Sequence, residues 1–109
     1  MGAALLMLAA CADTGQTARP VASLPPGGLL GQAGTALTPY LGEPSLKRSE
    51  PPAEIWQYAT PDCLLFLFLY RESQGMTVKH LDARDRQRKP VDVDTCARKV
   101  ATAAARPGS

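Results

Sequence analysis

The chain has one histidine, three cysteines and almost no bias of charge: 12 Lys and Arg face 10 Asp and Glu, a net charge of +2. So small an excess lacks the electrostatic footprint of a nucleic-acid binder, and no such partner is expected. No cysteine has a CxxC neighbour and His80 brings no second histidine, so no metal site is expected. HExxH, a phosphate-cradling glycine loop and a paired-carboxylate pattern are all missing. His80, Asp82 and Ser73 contain the residue types of a triad, but Ser73 falls in an expected turn, and His80 and Asp82 share a strand face only if no bulge intervenes. The sequence therefore reads as non-enzymatic, with no cofactor and no evident small-molecule substrate. Long apolar runs are missing too, and none could span a bilayer as a helix. What is present is ordinary globular usage, 45% hydrophobic and 20% charged, over 109 residues, enough for one domain.

Residues 3–10 are uncharged and nearly all apolar, end in small residues and run into Cys11. The run has the size of a signal-peptide h-region, and small residues at its end are what a signal peptidase requires. Leu8, Ala9, Ala10 and Cys11 resemble the lipobox of bacterial lipoproteins, which implies cleavage before Cys11 and a diacylglycerol on its sulfur. The basic n-region usual in such signals is not there, since the first charged residue is Asp13. A soluble exported protein and a cytosolic chain with an apolar start are the alternatives. Residues 12–28, with three prolines, three glycines and no helical or strand period, read as a linker that spans on the order of 23 Å if flexible. The expected layout is thus a signal peptide over 1–10, lipidated cysteine and linker over 11–28, a folded body over 29–100, and a helix end with frayed tail over 101–109.

With Cys11 given to lipid, Cys63 and Cys96 remain as an even pair, the set expected to form a disulfide in an oxidising periplasm. The rival reading is two buried thiols packed as small hydrophobes. In the body, Leu30, Ala33, Leu37, Tyr40 and Leu41 mark one face of a short helix capped by Gly42, kinked or partly 3₁₀ because of Pro39. Residues 45–50 suit an edge strand, and 54–59 a strand with Trp56 and Tyr58 on one face. Residues 63–70, CLLFLFLY, are apolar on both faces, which predicts a central strand; a five-residue loop then leads to a strand over 76–85 with a bulge near His80. Val93, Cys96, Ala97, Val100, Ala101 and Ala104 form the stripe of a last helix with Asp92 as N-cap. The fold class is α+β: a two-layer domain with an antiparallel sheet of three to four strands, the short N-terminal helix and the C-terminal helix packed on one face.

Gly31, Leu41, Gly42 and Pro44, followed by a short polar strand and then Trp56 and Tyr58, resemble the SmpA/OmlA (BamE-like) outer-membrane lipoproteins, whose core carries an amphipathic helix, LGxP and a WxY strand. The whole arrangement is also similar to small uncharacterised lipoproteins of alphaproteobacteria. The resemblance covers about residues 29–100 and implies a two-layer body on the periplasmic face of the outer membrane, assisting the insertion of β-barrel proteins. Pro39, the terminal helix and the cysteine pair depart from the best-known members.

The leading function, which Cys11, the linker and the resemblance suggest, is a non-enzymatic, lipid-anchored periplasmic interaction domain, with envelope proteins as partners and the domain itself monomeric. The alternative is a periplasmic inhibitor or ligand-binding module that caps an envelope enzyme with exposed aromatics. Trp56 and Tyr58 are either core or partner contacts. Arg84, Arg86, Arg88 and Lys89 make a basic loop that is either a solvated hairpin exit or a contact for lipid headgroups or another anionic surface.

Overall fold

The computed structural model describes residues 23–106. Four strands, β1 (Leu46–Glu50), β2 (Ala53–Ala59), β3 (Leu64–Glu72) and β4 (Gly75–Arg84), form an antiparallel sheet in the order β1-β2-β3-β4. Helix α1 (Gly34–Leu41) precedes the sheet and α2 (Val93–Ala105) follows it. Leu37 and Leu41 of α1 and Cys96, Ala97, Val100 and Ala101 of α2 join Trp56, Tyr58, Leu65, Leu67, Leu69, Val78 and Ala83 in one buried cluster. Both helices therefore lie on the same face of the sheet, and the expected two-layer α+β domain is the structure.

Local chemistry explains the elements. Asp92 caps α2 by accepting from the Thr95 amide at 2.8 Å, and this bond holds its carboxyl below the usual carboxylate range. Gly42, at φ 76°, ends α1, its amide donating to the Thr38 carbonyl. Pro39 sits inside a continuous α1, whose first turn closes with a 3₁₀-type bond from the Ala36 amide to the Ala33 carbonyl. Pro39 leaves the Thr35 carbonyl without an amide donor, but Thr35 is exposed and water can serve it.

Two expected boundaries shift. Glu72 pairs with Gly75 and Arg71 with Met76, so the β3–β4 turn holds only Ser73 and Gln74 instead of the five-residue loop. Ladder bonds are made by the backbone, and charged side chains at a hairpin end do not prevent them. The six described residues of the expected 11–28 linker include a buried Pro25 and a Leu24 packed on the core. At the other end α2 runs to Ala105 with Ala101 buried, in line with the expected stripe through Ala104. The bulge lies where expected: Phe68 pairs with His80 and Leu69 with Val78, leaving Lys79 unpaired.

Gly34 fixes how closely α1 approaches the sheet. A Cβ there would stand 2.5 Å from Trp56 Cη2 and 2.9 Å from Leu69 Cδ2. The indole cannot easily retreat, because its Nε1 donates to Glu54 Oε1 at 2.6 Å and Lys47 Nζ lies 4.4 Å from the ring centre. Alanine would gain up to about 1 kcal/mol in helix propensity, while overpacking costs about 1–3 kcal/mol. Gly34→Ala is accordingly expected to be destabilising on balance, read as a lower urea midpoint at unchanged slope; a midpoint equal to or above that of the parent would show that the contact yields.

Candidate functional site

The period of a strand sends alternate residues to opposite faces, and here only one face is covered. On β3, Leu65, Leu67 and Leu69 are fully buried beneath the helices, while Leu64, Phe66 and Phe68 are half-buried and Tyr70 is exposed on the other side. The pairing places Arg48 opposite Ile55, Ile55 opposite Phe68, Phe66 opposite Asp82, and Leu64 opposite Arg84. No described element lies over this face. Its middle is a shallow groove of about 460 Å³ lined by Arg48, Ile55, Leu64, Phe66, Phe68, Asp82, Arg84 and Arg88. An apolar floor thus carries three guanidinium groups and one carboxylate on its walls.

The charges are held unequally. Arg48 Nε pairs with Glu50 at 2.9 Å and Arg84 Nε with Asp82 at 3.1 Å. Arg88 has no side-chain hydrogen bond or ion pair among the described residues. It sits at φ 71°, in a turn where Asp85 Oδ1 accepts from the Gln87 and Lys89 amides. The uncommon left-handed backbone is thereby fixed by the Asp85 side chain.

The basic loop is therefore divided. Arg84 and Arg88 reach the groove, Arg86 donates to the Thr60 carbonyl in the β2–β3 turn, and Lys89 is exposed in the loop. Trp56 and Tyr58 lie on the covered face, 6% and 2% exposed, so of the two readings for this pair the structure gives core packing. The aromatics available on the open face are instead Phe66, Phe68 and Tyr70. Their signal was visible in CLLFLFLY, whose second apolar face has to be accounted for, but nothing in the run says that no helix covers it.

His80 and Asp82 do share the open face, since the bulge precedes both. His80 packs on Phe68, ring centres 5.1 Å apart, and Asp82 is held by Arg84, while Ser73 lies in the hairpin turn at the end of the sheet. Among the described residues Ser73 is thus not brought to them. Among the described residues no group of three or more His, Cys, Asp or Glu could hold a metal ion, and no helix is long and apolar enough to cross a membrane. Cys11 lies outside the described residues. Cys63 and Cys96 stand at disulfide distance, with sulfurs 2.06 Å and Cα atoms 6.0 Å apart.

On the covered side, the Tyr58 hydroxyl is buried with no hydrogen-bond partner among the described residues. Burial, and secondarily the charge of Glu43, push its pKa well above the usual tyrosine value. An unsatisfied buried hydroxyl costs about 1–3 kcal/mol, so Tyr58→Phe is expected to leave stability unchanged or raise it by up to about 1 kcal/mol. The sign of the pH effect follows from the raised value. Unfolded tyrosine ionises near pH 10 while the folded residue stays neutral, so the parent keeps its stability below that pH and loses it above. Denaturant titrations at neutral and strongly alkaline pH check this: the gap between Tyr58→Phe and parent should widen in alkali, and parallel curves would contradict it.

No protein-family model, curated protein or solved structure matches this chain. Fold and site define a class, a small α+β domain with one helix-covered sheet face and one open, arginine-walled apolar face.

Proposed function

We propose that this chain is a non-enzymatic interaction domain of the bacterial envelope, anchored by lipid at Cys11 to the periplasmic face of the outer membrane. The observation that carries the reading is the open sheet face: no described element lies over the half-buried Ile55, Leu64, Phe66 and Phe68, and contiguous apolar surface of this kind marks interaction surfaces. The apolar run ending at Cys11 and the bonded Cys63–Cys96 pair, which suits an oxidising compartment, support the location. Within this reading, the resemblance to SmpA/OmlA proteins makes assistance to outer-membrane protein assembly its specific form. In the alternative, an inhibitor of an envelope enzyme, Trp56 and Tyr58 are in the core and the contact would fall to Phe66, Phe68 and Tyr70 on the open face.

Intact mass spectrometry of the protein purified from its own membranes, with and without reductant, tests the anchor. The expected species begins at Cys11, carries acyl chains and gains two hydrogens on reduction, while a Cys11→Ser variant carries no lipid. An unprocessed, unlipidated parent chain would overturn the reading. Co-purification from solubilised membranes tests the specific form, which predicts recovery of barrel-assembly components.

A further inference from the structure

We infer that the open sheet face binds the surface of a membrane containing anionic phospholipid, with Phe66 and Phe68 against the acyl region and Arg48, Arg84 and Arg88 on headgroup phosphates. The inference rests on reading this face as an interaction surface and is independent of the anchor at Cys11.

Charge complementarity selects the occupant. Three arginines line the groove; Arg48 is paired with Glu50 and Arg84 with Asp82, which leaves the Arg88 guanidinium as the charge without a side-chain partner among the described residues. Guanidinium groups bind phosphate oxygens in a bidentate manner and are less strongly hydrated than ammonium groups, which suits them to a headgroup layer. A second copy is a poorer fit, because two such faces in contact would set arginine walls against each other. An added peptide strand is a poorer fit as well, since the backbone groups beneath the groove are already paired in the sheet. The strand edge of β4 is also occupied in part: the Gly31 amide donates to the Val78 carbonyl, the Val78 amide to the Gln32 carbonyl, and the Val91 amide to the Ala83 carbonyl. What the face offers is side chains alone, apolar in the middle, with ion-paired Arg48 and Arg84 and the unpaired Arg88 guanidinium at the walls. A fluid lipid surface meets that pattern without needing backbone partners.

The test uses the full chain with Cys11→Ser, so that no acyl anchor contributes, and vesicles of phosphatidylcholine with or without phosphatidylglycerol. Sedimentation should increase with phosphatidylglycerol and fall as salt rises. Arg48→Gln with Arg88→Gln should weaken partition roughly 25-fold, since each basic residue near such a surface contributes about fivefold. Residues 3–10 are common to every arm, so any affinity of their own cancels in the ratio. In a Phe66→Trp variant, the new fluorescence should be quenched by nitroxide-labelled phosphatidylglycerol while that of Trp56, buried on the other side, is not. Thermal unfolding checks that each variant is folded. Sedimentation indifferent to phosphatidylglycerol, partition of the double variant within about twofold of the parent, or an unquenched Phe66→Trp would overturn the inference and leave the face to a protein partner. Since the chain tested bears no lipid, none of these failures touches the anchor, and a failed anchor leaves this test intact.

Discussion

Breaking the Cys63–Cys96 bond is expected to lower stability by about 3–4 kcal/mol, because the bridge closes a long loop that the unfolded chain would otherwise leave open. The two cysteines are 33 residues apart in sequence. Cys63 ends the β2–β3 turn, where the Thr60 hydroxyl accepts from the Asp62 and Cys63 amides, and Cys96 lies in the first turns of α2. The bond therefore ties the terminal helix to the start of the central strand. Helix α2 otherwise holds the sheet mainly through Cys96, Ala97, Val100 and Ala101, side chains that bury little area each. In a domain this small such a staple is a large fraction of total stability. Reduction, or the Cys63→Ala/Cys96→Ala pair, should lower Tm by roughly 15–25 °C, with loss of helical circular dichroism ahead of or together with the sheet. A reduced protein melting within a few degrees of the oxidised one would show that packing alone docks α2.

Neighbouring residues of β3 should differ several-fold in what they contribute. Leu67 is fully buried, paired with Trp56 on one side and Leu81 on the other. Its replacement by alanine removes buried methyl groups and leaves a cavity beneath the helices, a loss of about 2–5 kcal/mol. Phe66 is larger but faces the open groove, where solvent or a partner fills any space it vacates. Phe66→Ala should cost about 1 kcal/mol, the range of strand propensity and cross-strand contacts. Equilibrium urea unfolding of the two variants measures the contrast directly. Equal losses would mean that the face is covered in the isolated protein, and the interaction surface argued above would be lost with it.

This contrast marks how far the sequence is legible. The apolar run from 63 to 70 identifies a central strand, the shift of phase after Val78 identifies a bulge, and Asp92 and Gly42 identify helix ends, because each is a local effect of side-chain type on backbone geometry. The cysteine pair is suggested by parity once Cys11 is given to lipid, but two buried thiols fit the sequence as well, and only the structure supplies the bond. Turn lengths were less readable: Arg71 and Glu72 look like loop residues, yet their backbones pair with Met76 and Gly75. Leu24 and Pro25 look like linker, yet they pack on the core, since contacts distant in sequence leave no local mark.

Trp56 and Phe66 show the limit most clearly. The alternation of side chains settles which residues share a face, so that Trp56 and Tyr58 stand together and Phe66 and Phe68 stand together. It does not say which face the helices cover, because both faces of β3 are apolar and the alternation is symmetric between them. By itself the sequence determined the strands, which residues share a face, and the helix caps. Only the tertiary structure decided that Trp56 is core and Phe66 is surface, because the close approach of α1 at Gly34 and the tether of α2 at Cys96 place both helices on the same side of the sheet.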